Sequence, residues 1–332
     1  MASKYYDGNA VDTSSVDLLS GDILVKVTKQ EIDSRIFEGV FGVFTRNVLE
    51  TGSQWEEIEV GNLSSADFDA TGANALTKAS MDFATLYHKI NRRKTFKATV
   101  SDAQVKMSML STANMAQLAS AITSELYNSS AIEDFEAIKD LLNDIIAEKK
   151  AMVICDMNGN GADMDALTKA IQTIATNMTL PSTNYNYSGF KKAFNKKEDL
   201  VLIIESTTQA KINVDSLASA FNMSKKDLVA NIIVIDKFPS ITFTNLASDE
   251  GVTLDIGETN SIITYKYDAD GTDAVSGSPI AILCERKAIV RDPVERELTE
   301  QYNAKGRFTN YYLHATDVLS YSTLRNAVVF VD

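Results

Sequence analysis

The feature that most constrains the fold of this chain is a stripe of apolar residues at helical spacing between positions 129 and 150. In SSAIEDFEAIKDLLNDIIAEKK the apolar side chains fall on one face of an α-helix. The stripe consists of Ile132, Phe135, Ile138, Leu141, Leu142, Ile145 and Ile146. Ser129 or Ser130 is a suitable N-cap, and Lys149 and Lys150 lie near the negative end of the helix dipole. The preceding run TANMAQLASAITSELY is also helical in pattern, so it either packs alongside this helix or joins it.

The length and charge of the chain limit the classes of protein to which it can belong. A chain of 332 residues is too long to pack around a single hydrophobic core, which predicts two lobes or one large mixed domain with projections. The 45 acidic and 32 basic residues give a net charge of −13, which disfavours sequence-independent clamping of nucleic acid. No window approaches about 20 apolar residues, so we expect no membrane span. The polar, acidic first residues lack a signal-peptide pattern, so we expect the chain to fold in a cytoplasm.

Two cysteines, Cys155 and Cys284, each lie in an apolar run. Free cysteine packs as a small hydrophobic residue, so both are predicted to be buried and reduced. A single disulfide between them is the alternative, although nothing else in the sequence indicates an oxidising compartment.

A long excursion precedes the predicted helix. Its centre, between residues 61 and 78, is polar and contains glycine. The outgoing flank alternates apolar and polar residues at Trp55, Ile58 and Val60, and the segment TFKATV (95–100) is interpreted as the returning flank. We expect a two-stranded arm with a loose tip, since loops of this length usually carry a function.

The sequence after the helix reads as an α/β region followed by β structure. AMVICDM, DLVLIIES and ANIIVIDKFP are predicted strands, the last two buried on both faces. DMDALTKAIQTIATNM is a predicted helix capped by Asp163, and TQAKINVDSLASAFNMSKKDL is helical in part. Residues 241–290 are rich in β signals, and a short polar stretch follows from Lys287. The closing segment KGRFTNYYLHATDVLSYSTLRNAVVFVD (305–332) is interpreted as a long β-hairpin.

One segment resembles a calcium loop. Asp156, Asn158 and Asn160 take the first, third and fifth positions, and Gly161 the sixth. The twelfth position is Leu167, whose side chain has no oxygen to complete the coordination of the ion. A tight turn before a helix is therefore the favoured interpretation, and a weak divalent-cation site at 156–165 is the alternative. We expect no cofactor.

No other motif predicts catalysis. The chain has two histidines, His88 and His314, too few for a histidine triad or zinc site. It has no phosphate-binding loop and no nucleophile elbow. The basic run NRRKTFK (91–97) is a solvated strand, half of a charge pair between subunits, or a nucleic-acid contact. The N-terminal arm, the long two-stranded excursion and the closing hairpin would each leave strand edges unpaired. We therefore expect neighbouring molecules to cover these edges.

This order of parts resembles the major capsid protein of tailed bacteriophages, with its Hong Kong 97-type shell fold. The resemblance implies an α+β fold with an N-terminal arm, a two-stranded extended loop, a spine helix, an α/β axial domain and a β-rich peripheral domain. The implied segments are an arm at 1–35, the start of the peripheral domain at 36–49, an extended loop at 50–105, the peripheral domain with its spine helix at 106–150, an axial domain at 151–285 and a return to the peripheral domain at 286–332.

The resemblance also implies a function and partners. The chain would be a non-enzymatic subunit that assembles with itself into pentamers and hexamers of an icosahedral head, found in the virion and assembled in the host cytoplasm. A portal and a separate scaffolding protein are implied partners, and packaged DNA would be enclosed without sequence-specific contact. The implied subunit-interface residues are Trp55, Phe68, Arg92, Arg93, Tyr311 and Tyr312. Lys78 and Lys89 could carry covalent cross-links, but nothing singles out either one.

Alternative functions stay open at this level. Within the structural class, the chain could be another phage protein of the tail tube or sheath, or an encapsulin-like compartment shell. From a different class, it could be an α/β hydrolase or binding protein that uses the 156–165 loop for a divalent cation. A secreted adhesin is disfavoured because the signal-peptide pattern is missing.

Overall fold

The computed structural model describes residues 37, 39–46, 54–63, 65, 67–68, 70–72, 78, 80–102, 112–149, 151–159, 161, 163–212, 232–247, 253–255 and 261–332. The predicted arm at 1–35 lies outside these residues, so it stays a prediction.

The described residues contain fourteen strands and three α-helices in addition to short 3₁₀ turns. The strands are β1 (Trp55–Val60), β2 (Phe83–His88), β3 (Arg92–Ser101), β4 (Val153–Asp156), β5 (Leu200–Glu205), β6 (Ile232–Ile235), β7 (Ile241–Ala247), β8 (Thr253–Asp255), β9 (Ser261–Tyr267), β10 (Asp273–Gly277), β11 (Pro279–Glu285), β12 (Ile289–Asn303), β13 (Phe308–Tyr321) and β14 (Ala327–Val331). The helices are α1 (Thr112–Glu148), α2 (Met164–Asn177) and α3 (Ser206–Lys211).

The largest sheet has nine strands in the order β10-β7-β9-β4-β14-β11-β5-β6, with β8 paired to β9. The last strand of the chain, β14, lies inside this sheet, parallel to β4 and antiparallel to β11. The predicted strands in AMVICDM, DLVLIIES and ANIIVIDKFP are confirmed as β4, β5 and β6. Their unbroken apolar runs are typical of strands buried on both faces.

Helices cover both faces of this sheet. On one face, Leu167 and Ile171 of α2 pack with alternate residues of the central strands, such as Leu202 and Leu283. On the other face, Leu142 and Ile145 of α1 pack among the intervening residues of the same strands. Because successive strand residues point to opposite faces, each central strand contributes to both cores.

A separate three-stranded sheet has the order β12-β13-β3. β12 and β13 form a long antiparallel hairpin from the pair Ile289↔Tyr321 to the pair Asn303↔Phe308. The interpretation of 305–332 as a hairpin in itself is therefore wrong. Its first half pairs with the polar stretch after Lys287, which is a fifteen-residue strand, and its second half joins the large sheet. β12 was not recognised in the sequence because it is rich in charged residues, and a solvated strand face shows no apolar pattern.

The predicted two-stranded arm exists, but its returning strand is a different one. β1 pairs antiparallel with β2, from Trp55↔His88 to Val60↔Phe83. The segment TFKATV, interpreted as the returning flank, lies in β3 and pairs with β13. A three-residue connection at 89–91 lets the chain leave the arm and enter the second sheet.

The predicted helix is longer than its apolar stripe. α1 is one continuous helix of 37 residues, so the preceding helical run joins it. Ser129 and Ser130 lie inside the helix and do not cap it, so that prediction is wrong. Along the stripe Ile138, Leu142, Ile145 and Ile146 are fully buried, whereas Ile132 is 46% exposed.

An ion cluster connects the middle of α1 to the three-stranded sheet. The Asp134 carboxylate contacts Arg92, and it accepts hydrogen bonds from Arg291 at 3.0 Å and Arg296 at 3.2 Å. Asp317 of β13 pairs with Arg92 at 2.9 Å and with Arg296 at 2.6 Å. Buried carboxylates need such partners, because an unpaired buried charge is strongly destabilising.

The prediction for the two cysteines is confirmed. Cys155 and Cys284 are free and fully buried in the large sheet. Burial raises the pKa of both thiols, to about 12 for Cys284, with a smaller contribution from the neighbouring carboxylates of Asp156 and Glu285. Neither thiol is available to reagents in the folded chain.

Substitution of Leu142 by alanine tests the packing of α1. Leu142 is fully buried, so Leu142→Ala is expected to lower the free energy of unfolding by about 2–5 kcal/mol. Ile132→Ala on the same helix is the matched control and is expected to change it by less than about 1 kcal/mol. Chemical denaturation followed by circular dichroism gives both values. Equal losses for the two variants would contradict the assigned helix orientation.

Candidate functional site

The β1–β2 hairpin presents two faces of different character. Glu57, Glu59 and His88 are buried on the face toward the body of the chain. The opposite face carries Ile58 and Val60 from β1, with Phe83 and Tyr87 from β2. The charged residues are therefore inside and the apolar ones outside, which is the reverse of a monomer's usual pattern.

Arg325, between β13 and β14, holds the inner face. Its guanidinium pairs with Glu57 at 2.6 Å and with Glu59 at 2.9 Å, and it lies 3.6 Å from Glu285. Lys191 makes a further ion pair with Glu59. These four contacts, with those of His88 and Arg46 below, are called the hairpin anchor.

His88 links the hairpin to β13. One ring nitrogen lies 2.6 Å from the Ser320 hydroxyl, and the other lies 3.3 Å from a Glu57 carboxylate oxygen. The Trp55 ring stacks on His88 with centroids 4.6 Å apart, and the Arg46 guanidinium lies 4.4 Å above the Trp55 ring. The base of the hairpin is thus fixed by stacking as well as by charge.

The anchor shifts the ionisation of its groups. Burial by itself raises the pKa of Glu57, but hydrogen bonds from His88 and Ser322 and the charge of Arg325 outweigh it and lower the pKa to about 2. Burial likewise opposes the charge of Arg325, but Glu285 and Glu57 together raise the pKa of this guanidinium. Both groups are therefore charged at neutral pH.

The outer face of the hairpin is mostly apolar. Four side chains form it, and each exposes a large fraction of its area: Ile58 55%, Val60 42%, Phe83 59% and Tyr87 61%. Glu56 and Thr85 complete this face by register. We call these four apolar residues the outer hairpin face. A rimmed apolar surface of this kind is typical of an interaction site.

The structure places the predicted interface residues in different surroundings. Trp55 lies in the hairpin anchor, and Arg92 lies in the ion cluster with Asp134. Phe68, beyond the end of β1, is 93% exposed. Arg93 is exposed on β3, while Tyr311 and Tyr312 are half-buried on β13. Their roles between subunits stay predictions.

Sequence reasoning missed Phe83, Tyr87 and Arg325. The alternation in WEEIEV did signal a two-faced strand, but period-two patterning does not say which face is buried. The usual rule assigns the apolar face to the core, and here that rule fails. No local signal marks Arg325, because its partners are distant in the sequence. The partners in β1 are more than 250 residues away, and Glu285 is 40 residues away.

The candidate cation loop forms a turn in the structure. The Asp156 carboxylate accepts a hydrogen bond from the Asn158 N–H at 2.8 Å, and Asn158 and Gly159 adopt left-handed backbone angles. The Gly161 N–H donates to the Asp332 carboxylate at 2.8 Å. Asn160 lies outside the described residues. Among the described residues no group of three or more His, Cys, Asp or Glu side chains could hold a metal ion.

The structural comparison identifies the fold. The chain aligns with the capsid structure of Staphylococcus phage Andhra over 93% of its own length and 88% of that chain, with a TM-score of 0.67 and 13% identity. The capsid structure of the cyanophage P-SCSP1u aligns over 93% and 92% of the two chains, with a TM-score of 0.55 and 15% identity. The fold is therefore a mixed α/β fold that matches Hong Kong 97-type phage capsid structures.

The sequence comparison gives the family. The model of the Phi29-like phage major capsid protein matches residues 14–331, so the chain belongs to that family, which is structural and not enzymatic. The major capsid protein of Bacillus phage GA-1 is 27% identical over 308 residues, which cover 91% of this chain and 57% of that protein. That of Streptococcus phage Cp-1 is 20% identical over 310 residues, covering 89% and 77%. The chain thus spans little more than half the length of the Bacillus phage relative.

The comparisons also bear on the open alternatives. Membership in a capsid family excludes the α/β hydrolase interpretation of the 156–165 loop as the chain's function. Within the described residues, no helix has the length and apolarity needed to cross a bilayer.

The low pKa of Glu57 predicts how the hairpin anchor responds to acid. A carboxylate whose pKa is depressed on folding stabilises the fold fully above its unfolded value of 4.5, and that contribution disappears as the pH falls toward 2. Trp55 is the one tryptophan of the chain, so its fluorescence reports the anchor. We expect its emission to shift to longer wavelength between about pH 4.5 and 2.

Two variants check the cause. Glu57→Gln removes the charge and is expected to show the shifted emission already at pH 7, with a weaker response to acid. Glu56→Gln, on the adjacent exposed position, is expected to behave like the unmodified chain. An unchanged acid response in Glu57→Gln would assign the effect to other carboxylates.

Proposed function

We propose that this chain is the structural subunit of the head of a tailed bacteriophage, which assembles with itself into an icosahedral shell around the DNA genome. The observation that carries the proposal is the β1–β2 hairpin, held by buried ion pairs on one face and exposing apolar side chains on the other. A two-stranded hairpin alone is marginally stable in water, so a fixed hairpin with an apolar outer face suits a surface that a neighbour covers.

The proposed occupant of the outer hairpin face is a second copy of this chain. Fully burying a large apolar side chain contributes about 1.5–3 kcal/mol, so four partly exposed ones offer a substantial driving force for association. A contact between a projecting hairpin and a different surface of the next copy is heterologous. Heterologous contacts close into rings when the rotation between neighbours completes a full turn, as in the pentamers and hexamers of a shell.

The proposed division of the chain follows the capsid fold. The extended loop at 50–105 contains the β1–β2 hairpin, and the peripheral segment at 106–150 contains α1. The axial domain at 151–285 contains β4 to β11, and the return at 286–332 contains the β12–β13 hairpin. β14 pairs with β4 and β11, which argues for grouping it with the axial domain. The arm at 1–35 and the start of the peripheral domain at 36–49 complete the scheme.

The proposed partners beyond the chain itself are a portal and a separate scaffolding protein. Packaged DNA would lie inside the shell without sequence-specific contact. The net charge of −13 is consistent with this, because an acidic chain repels phosphate and would let DNA move past it. The proposed location is the virion, with assembly in the host cytoplasm.

Polar substitution of the outer hairpin face tests the proposal. Ile58→Asn with Phe83→Asn removes two exposed apolar side chains without touching the hairpin anchor. We expect normal folding, seen as unchanged Trp55 emission, with at least about a tenfold rise in the concentration needed for assembly. Sedimentation velocity and negative-stain electron microscopy measure this.

The matched control is Thr85→Asn, which exchanges one exposed polar residue for another on the same face. It is expected to assemble like the unmodified chain. If the Ile58 and Phe83 variant formed the same assemblies at the same concentration, the outer hairpin face would not be an assembly contact.

A further inference from the structure

The three-stranded sheet has one face that points away from α1. The ion pairs to Asp134 and Glu133 place Arg92 and Lys94 of β3, and Arg296 of β12, on the helix side. Side chains alternate along each strand, so the intervening residues point outward. The outward face is formed by Arg93, Thr95, Lys97 and Thr99 of β3, by Asn310, Tyr312, His314 and Thr316 of β13, and by Glu295, Glu297, Thr299 and Gln301 of β12.

Contacts across the strands confirm this face. His314 lies 3.1 Å from the Thr95 hydroxyl and 3.3 Å from the Thr299 hydroxyl, so it bridges all three strands. Thr99 donates to Asn310 at 2.7 Å. The Tyr312 ring stacks with His314, with centroids 6.2 Å apart. The middle of the face is therefore a platform whose polar groups bind one another.

The charges of this face are separated onto its two outer strands. Arg93 and Lys97 lie on β3, which we call the basic edge, and Glu295 and Glu297 lie on β12, which we call the acidic edge. The two edges are about 10 Å apart, since β13 lies between them. A pocket of about 340 Å³ lined by Arg93, Glu297 and His314, among others, lies between them.

The two edges do not neutralise each other within the chain. In the part of the chain that the structure describes, no ion pair joins Arg93 to Glu295 or Glu297, and the side chains of Arg93 and Glu297 make no hydrogen bond. Glu295 accepts one long hydrogen bond from Thr316 at 3.4 Å, and Lys97 lies 5.7 Å from the Tyr312 ring centre. Both edges are also the outer strands of their sheet, which has no further strand among the described residues.

This layout selects the symmetry of a contact between copies. A two-fold contact of edge against edge would place basic edge against basic edge, or acidic edge against acidic edge, and like charges across an interface are costly. A head-to-tail contact instead places the basic edge of one copy against the acidic edge of the next. The charge separation therefore disfavours a two-fold edge-to-edge dimer and favours a head-to-tail contact, which can propagate around a ring.

We propose that neighbouring copies of this chain meet through these edges, with Arg93 and Lys97 of one copy facing Glu295 and Glu297 of the next. The proposal rests on the proposed function as a self-assembling subunit and adds the surface and the polarity of one contact. Because Arg93, Lys97 and Glu297 are exposed, Glu295 is partly exposed, and the platform between them is fixed by hydrogen bonds, the contact forms without refolding of either copy.

Charge reversal tests the pairing. Arg93→Glu with Lys97→Glu makes both edges acidic, and Glu295→Lys with Glu297→Lys makes both edges basic. Each pair is expected to raise the concentration needed for assembly by at least about tenfold, with a melting temperature close to that of the unmodified chain. The chain with all four substitutions again has opposite edges, so it is expected to recover assembly.

The matched control exchanges exposed charges outside this sheet. Lys196→Glu with Glu198→Lys swaps an exposed pair next to β5, and it is expected to assemble like the unmodified chain. Normal assembly of either edge-reversed variant, or failure of the fourfold variant to recover, would overturn the proposal.

Cross-linking tests the polarity directly. Cys155 and Cys284 are fully buried, so a short thiol-reactive cross-linker will act only on introduced cysteines. The chain with both Arg93→Cys and Glu297→Cys is expected to give a ladder of oligomers, and each single substitution is expected to give none. Strong dimer formation by either single variant, or dimers without larger oligomers from the double variant, would show a two-fold contact and overturn the proposal.

Different results would contradict the proposed function and the edge contact. If the unmodified chain sediments as a monomer at every concentration and never forms rings or shells, the proposed function fails. If the unmodified chain assembles and the edge-reversed variants assemble equally well, only the edge contact fails.

Discussion

The architecture depends on one helix that serves two sheets. The C-terminal half of α1 packs Ile138, Leu142 and Ile145 against the nine-stranded sheet, while Asp134 in its middle binds arginines of the three-stranded sheet. A helix of 37 residues is about 55 Å long, so it can span both regions. Because both contacts lie on one rigid rod, the two sheets are held in a fixed relation, and the projections that they carry are aimed in defined directions.

Buried ion networks then fix the orientation of those projections. The Asp134 cluster docks the β12–β13 hairpin on α1, and the Arg325 cluster docks the β1–β2 hairpin on the body. Such networks contribute little net stability, since removing the charges from water offsets most of their attraction. They demand a specific geometry, however, and a misplaced partner leaves a buried charge unpaired. This suits the proposed role, in which surfaces of the chain meet other copies at fixed angles.

Much of the fold could be predicted from the sequence, and the errors have physical causes. The buried strands β4, β5 and β6 and the helix α2 carry local signals, namely unbroken apolar runs and a capped amphipathic pattern. β12 was not recognised because its charged residues pair with α1 and β13 on one face and reach solvent on the other, so no apolar pattern marks the strand. The returning flank was misassigned because β2 and β3 follow each other closely and both alternate, so the sequence offers two equivalent partners for β1. The outer hairpin face was missed because alternation does not tell which side meets the body.

The sequence by itself determined where α1, α2 and the buried strands β4, β5 and β6 form, that the thiols are buried, and that no catalytic motif is present. Those properties depend on residues within a few positions of one another, where periodicity and propensity act. Only the tertiary structure decided which strands pair, which face of the β1–β2 hairpin is exposed, and how residues as distant as Arg92, Asp134 and Asp317 form one ion cluster. Long-range partners of this kind are chosen by the packing of the whole core and the need to pair every buried charge, and neither is written in any local stretch of the chain.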